Sequence, residues 1–206
     1  MSRLLITGFG PFPTVPDNPS ARLARRLAAF PHLRRVLGHT PDCLVLDTRY
    51  DALHTQLAPA LARGPSAVLM IGVAARRPRV CVETRAVNRV SRLFPDASGA
   101  VGCFLAFDPD GPAQRPSAAA TQVRVALRRV GLDAAASRDA GRYLCNASYY
   151  RALATGRPVV FLHIPMPPRT QRPTAGGGRR RPALDLWADA LIEAARVLAL
   201  LGRAQR

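Results

Sequence analysis

The chain of 206 residues carries a formal net charge of +17 and is 48% hydrophobic, long enough for one domain, 1–206, whose core needs neither metal nor disulfide. No apolar run reaches the roughly 18 residues of a membrane span, and the apolar stretch after Met1 is too short for a signal peptide, so no membrane partner and a cytoplasmic location are expected. The thirty basic residues are all arginine; without a zinc-finger pattern, an RNA-binding aromatic motif or a heptad-bearing basic region, that charge predicts no specific nucleic-acid partner.

In chain order, Arg3 to Thr7 reads as a buried strand and Gly8 to Pro13 as a turn-rich loop. Asn18-Pro19-Ser20 announces a helix, with Asn18 as N-cap, Pro19 at the first helical position and Leu23, Leu27 and Phe30 on one face. Cys43 to Leu46 is a short strand, and Ala52 to Ala62 a helix with an apolar stripe of Leu53, Leu57, Ala60 and Leu61. Ala67 to Ile71, ending at Gly72, has the continuous apolar character of a central parallel strand. Arg79 to Val90 reads as extended, with a further short extended piece around Gly102 to Phe107. Ala119, Val123, Ala126, Leu127 and Val130 mark an amphipathic helix; Asn146 to Leu153 is another, with Gly156 as its expected C-cap. Val159 to Ile164 is a second buried strand, expected to run parallel with its neighbours, and Leu184, Trp187, Leu191, Ala195 and Leu198 form the stripe of a closing helix. Between these last two, 170–182 reads as a flexible Gly- and Arg-rich loop. Strands alternating with helices at this spacing predict an α/β domain with a mostly parallel sheet.

Three residues carry candidate chemistry. Cys145 stands between a glycine-led loop and the start of a helix, where free backbone N–H groups and the helix dipole favour thiolate over thiol. Read alone, such a cysteine is more often a small buried hydrophobe. His163 lies near the carboxyl end of a buried strand, where ligands and catalytic groups collect in open α/β sheets, though a core histidine is the commoner occupant. Glu83 lies in an extended stretch and is equally a surface glutamate paired with an arginine. Together they supply thiol catalysis: Cys145 attacks a carbonyl, His163 accepts and returns the proton, and Glu83 orients the imidazole. For the oxyanion, the backbone N–H of Cys145 is the first candidate and Arg92 the second. The four cysteines show no paired spacing, which indicates neither a metal site nor a disulfide framework. Gly8-Phe9-Gly10 after the first strand suggests a dinucleotide fingerprint, but Pro13 stands where its third glycine belongs.

Five pieces of the chain resemble the pyroglutamyl peptidase I family of cysteine peptidases, in the family's order and close to its spacing. They are Leu5 to Phe12 followed by Asn18-Pro19-Ser20, then Glu83 to Asn88, Phe94-Pro95-Asp96, Ala140 to Asn146, and Phe161 to Pro165. The resemblance covers nearly the whole chain. It implies a three-layer α/β/α sandwich, no cofactor, and removal of an N-terminal pyroglutamyl residue from pyroglutamylated peptides by Cys145, His163 and Glu83. It further implies Phe9 and Phe12 as an aromatic wall against the lactam ring, with Asn18, Val73 and Leu144 at the substrate pocket. A neutral lactam offers apolar faces and few hydrogen-bonding atoms, so an aromatic slot suits it.

Several positions depart from the family pattern. Val73 replaces a pocket glutamine, Leu93 an arginine, Ala97 an asparagine, Asp47 a proline and Arg169 a glutamate. Losing one polar partner costs about 1–3 kcal/mol, enough to shift preference without abolishing chemistry. An altered-specificity relative acting on another cyclic or blocked N-terminus, or a non-catalytic binder using the basic loop, is the alternative. The sequence leaves the oligomeric state open, a homo-oligomer included.

Overall fold

The computed structural model describes residues 3–12, 15–93, 95–102, 105–167 and 183–205. Its frame is a six-stranded sheet built from β1 (Leu4–Phe9), β2 (Asp42–Leu46), β3 (Ala67–Val73), β4 (Val80–Glu83), β7 (Ala134–Ser137) and β8 (Val159–Ile164), in the order β2-β1-β3-β8-β4-β7. β5 (Arg85–Val87) and β6 (Gln114–Pro116) form a separate antiparallel pair. The inner strands β1, β3 and β8 are almost wholly buried, as their unbroken apolar runs require of strands covered on both faces.

Two apolar clusters, one on each face of the sheet, make the layers. On one side Leu4, Ile6, Leu69, Ile71, Leu162 and Ile164 meet α1 (Pro19–Ala28), α2 (Pro31–Leu37), α4 (Ala120–Arg129) and α6 (Ala183–Ala204). On the other, Leu5, Phe9, Val68, Met70 and Phe161 meet α3 (Ala58–Ala62) and α5 (Leu144–Leu153). This is an α/β/α sandwich with a mostly parallel sheet. Each strand's alternation feeds both clusters, so neighbours in sequence serve opposite layers.

The exception to parallel pairing falls on the strand that carries His163: β8 is parallel to β3 but antiparallel to β4. The expectation that all its neighbours run parallel is therefore corrected. Other boundaries shift for local reasons. Ala52 to Ala62 is not one α-helix, because a π-helical turn, Leu53–Leu57, leads into α3, with Ala58 N–H bonded to Leu53 O. Pro59, which has no N–H to give, stands at the junction. Phe30-Pro31 starts a new helix, α2, closed by Gly38 at φ 77°. β7 is alanine-rich, and its low strand propensity hides it from pattern reading. The described part of 102–107 holds no strand; the partner of β5 is Gln114–Pro116 instead. Val130, expected on the buried face of α4, is half exposed, and α5 begins at Leu144 and is capped at Ala154, two residues before Gly156. The loop at 170–182 lies outside the described residues.

Asn18 caps α1 as expected, its Oδ1 accepting from Ser20 N–H at 3.1 Å. Ser20 Oγ in turn accepts from Phe9 N–H at 3.0 Å, which locks the end of β1 to the start of α1. Gly8 permits this approach, since a Cβ there would lie 2.5 Å from Ser20 O, a backbone atom that cannot swing aside. Gly8→Ala is expected to cost about 1–3 kcal/mol of stability, measured as a lowered denaturant midpoint at unchanged slope.

Candidate active site

The candidate site forms where β3, β8 and β4 lie side by side. Register pairs Gly72 with His163 across β3 and β8, and Cys81 with His163 across β8 and β4. Glu83, two residues past Cys81, therefore shares the face of His163 and sits diagonal to it, opposite Phe161. Because β4 runs backwards, that step carries the carboxylate inward from the rim, and Glu83 is fully buried. His163 Nδ1 meets Glu83 Oε1 at 2.8 Å, which leaves Nε2 as the ring nitrogen free for chemistry. The Phe161 ring packs 4.8 Å from the imidazole and fixes its plane from the side.

Burial pushes the Glu83 carboxyl up. The hydrogen bond with His163, the nearby Ser137 hydroxyl and the charge of Arg77 outweigh that and hold it below the ordinary 4.5. The stability the paired Glu83 carboxylate contributes is accordingly present above about pH 4.5 and lost as pH falls through the lower folded value. Arg77 donates to the same Oε1 at 2.6 Å. Tyr149 Oη donates to the backbone carbonyl of Glu83 at 2.8 Å, tying α5 to the end of β4. None of Arg77, Tyr149 and Gly72 was visible as a site residue in the sequence; a buried glutamate's need for a counter-charge is the signal that points to an arginine.

Cys145 lies in the first turn of α5, after an N-cap, Tyr143, that offers no side-chain cap to the helix. Its sulfur stands over β3 beside His163's strand: a Cβ built on Gly72 would be 3.1 Å from Sγ and 2.7 Å from the Phe161 ring. Glycine at that position keeps the sulfur's berth open. Asn146, the next residue, is buried and clamps β5, accepting from Val87 N–H at 2.9 Å and donating to Val87 O at 2.8 Å. That clamp holds the start of α5 at a fixed height over the sheet. The expectation of a resting thiolate is corrected. Burial and the charge of Glu83 push the Cys145 thiol up to about 12, against the pull of its own backbone N–H and Arg77. One helix end does not offset desolvation of a thiolate beside a buried anion.

The remaining expected residues divide. Phe9 is a core residue, its ring 6.2 Å from Phe161. Phe12 is half-buried, 5.6 Å from Tyr143, which also meets Tyr50 edge-on at 5.7 Å. This aromatic cluster next to the start of α5 includes two tyrosines that sequence reading passed over. Asp96 holds it in place by accepting from Tyr50 N–H at 2.8 Å. Asn18 is occupied as a cap, and also donates to Gly10 O at 3.0 Å. Leu144 is buried in the core below α5. Val73 packs with the cluster on the opposite face, so its side chain is not in the pocket; strand alternation puts Gly72, not Val73, on the site's side. Arg92 and Leu93 are exposed in the bend after Val90. Asp47 is exposed and paired with Gln56; Ala97 donates its N–H to Thr48 O; Arg169 lies outside the described residues. Among the described residues no group of three or more His, Cys, Asp or Glu is arranged to hold a metal ion.

A carboxylate-steered imidazole and a helix-borne thiol at one edge of a three-layer sheet define a class, the cysteine hydrolases of α/β fold. Within that class the chain matches the pyroglutamyl peptidase family over residues 2–198, and it belongs to that family. The pyrrolidone-carboxylate peptidase of Deinococcus radiodurans is 34% identical over 174 residues, covering 80% of this chain and 78% of that protein. The crystal structure of pyrrolidone carboxyl peptidase from Thermus thermophilus is 33% identical with a TM-score of 0.77, covering 94% of this chain and 98% of that one. The enzyme from Thermococcus litoralis, at 24% identity and a TM-score of 0.82 over 100% and 97% of the two chains, bears on the fold alone.

The raised thiol pKa has a direct readout. Alkylation of Cys145 by iodoacetamide, followed on its own peptide by mass spectrometry, is expected to rise roughly tenfold per pH unit from about pH 7 to 9. A plateau reached near neutral pH would instead mean a preformed thiolate.

Proposed function

We propose that this chain is a cysteine peptidase that hydrolyses the amide bond following an N-terminal pyroglutamyl residue, with Cys145 as nucleophile, His163 as general base and acid, and Glu83 as the group that orients the imidazole. The observation that carries this is the 2.8 Å contact between His163 Nδ1 and Glu83 Oε1, with the Cys145 sulfur over the adjoining strand at Gly72. Family membership supports the substrate class.

The geometry gives each group a task. The thiol rests protonated, so its proton passes to His163 Nε2 as sulfur attacks the lactam-bearing acyl carbon. The C–S bond forms, and the carbonyl oxygen takes up negative charge in reach of the Cys145 backbone N–H at the uncapped start of α5. As the C–N bond breaks, the imidazolium returns the proton to the departing amine. Water, deprotonated by the same nitrogen, then attacks the thioester, releases pyroglutamate and restores the thiol. Glu83 keeps Nδ1 protonated and compensates the imidazolium while it exists.

For the lactam, the aromatic cluster of Phe12, Tyr143 and Tyr50 supplies flat apolar surface next to the nucleophile. Phe9 shapes the floor from within the core. With no charged side chain in that aromatic cluster, recognition rests on shape and backbone partners. We further propose that the chain works as one peptidase unit in a reducing, cytoplasmic compartment, in keeping with free thiols at Cys43, Cys81 and Cys145 and no helix long and apolar enough to cross a membrane among the described residues.

A fluorogenic pyroglutamyl amide tests the assignment. Wild type is expected to turn it over, Cys145→Ala to be inactive, and Glu83→Gln to lose about 10²–10⁴-fold in kcat. Hydrolysis that survives Cys145→Ala removes the thiol mechanism. Turnover of acetyl- or prolyl-amides in preference to the pyroglutamyl substrate would assign a different blocked N-terminus.

A further inference from the structure

Arg77 lies six residues before Glu83, in the connection between β3 and β4, and its guanidinium makes two bonds in different directions. One nitrogen donates to Glu83 Oε1 at 2.6 Å, the oxygen that also holds His163 Nδ1. The other donates to the backbone carbonyl of Asp139 at 2.5 Å, in the turn that leads through Gly141 into α5 and Cys145. We propose that Arg77 is a positioning residue for the reaction: it fixes the carboxylate and the nucleophile's approach loop to one rigid group. This rests on the assignment of Cys145, His163 and Glu83 given above.

Three observations carry it. Glu83 is a fully buried anion, and its Oε2 has no hydrogen-bond partner, so its orientation depends on what grips Oε1. Arg77 is the fixed charge that grips it, its side chain about a quarter exposed (27%), while His163 gains and loses its proton during turnover. Asp139 and Glu83 belong to separate parts of the chain, and the planar fork of a guanidinium spans both with little freedom to rotate.

The charge effect has a definite sign. The groups facing the Glu83–His163 pair are Arg77, Cys81 on β4, Ser137 on β7, and Cys145 and Tyr149 on α5. Of these, Arg77 alone is cationic at neutral pH. A nearby cation disfavours a second proton on the pair, so it opposes the acid-side limit of activity. Removing the cation moves that limit upward.

The experiment compares wild type, Arg77→Gln and Arg77→Lys on a fluorogenic pyroglutamyl amide across pH, with Cys145→Ala as control. Arg77→Gln is expected to lower kcat/KM by about tenfold to a hundredfold through misplacement, and to shift the acid limb of the kcat/KM profile up by about half to one pH unit. Arg77→Lys is expected to return the acid limb to its wild-type position but to stay below wild type in kcat, since a single ammonium does not reproduce the fork. An acid limb unmoved in Arg77→Gln, with Cys145→Ala inactive, overturns the role of Arg77 and leaves the thiol mechanism standing. Turnover persisting in Cys145→Ala overturns both. If Arg77→Gln does not fold, Arg77→Lys decides: wild-type kcat overturns the proposal, reduced kcat at an unmoved acid limb supports it.

Discussion

One hydrogen-bonded pair sets the terms for the rest of the site: the Glu83 carboxylate against the His163 imidazole, both shielded from water and lying on adjacent antiparallel strands. A lone buried carboxylate is costly, and a lone buried imidazole has no preferred tautomer. Each resolves the other's difficulty. The sheet supplies the distance without loop entropy, because register and the two-residue period decide that Glu83 and His163 share a face. Sliding β4 by one residue would turn Glu83 toward the opposite layer and leave His163 without a partner.

The nucleophile is kept under a different constraint. Its sulfur rests in a berth opened by Gly72 and walled by Phe161, close to a buried negative charge, and there the neutral thiol is the favoured form. Such a site does not hold a reactive anion in waiting. In the proposed mechanism the anion forms only when a substrate carbonyl is ready to receive it, which would guard the sulfur against stray oxidants and electrophiles. In the same proposal the helix end would act on charge as it develops on oxygen, where an uncapped first turn is of most use.

Much of this was written in the chain's pattern. Apolar runs located β1, β3 and β8, and Asn18-Pro19 marked the start of α1, because burial and capping leave local signatures. The order of the motifs around Glu83, Cys145 and His163 pointed to a thiol hydrolase. What stayed hidden depends on partners far along the chain. The reversed direction of β4 is a matter of pairing, and no local pattern encodes it. β7 is strand-like only because β4 lies beside it. The state of the thiol depends on burial next to Glu83, sixty-odd residues away in sequence, so the helix end alone gave the wrong sign. The family resemblance implies a pocket position for Val73, and only the alternation of a placed strand shows its side chain on the other layer.

The backward run of β4 also shortens the chain's path. Two parallel strands would need a crossover of a dozen or more residues. Here residues 74–79 suffice to vault over the end of β8 and start downward on its far side. The vault carries Arg77, and Ala74 N–H is bonded to Ile164 O at its near footing. Surface loops elsewhere in such a fold accept grafts and length changes readily, but this span is a keystone: lengthening it would lift the guanidinium from beneath, and the engineer looking for a place to insert a tag or a second module should leave it whole.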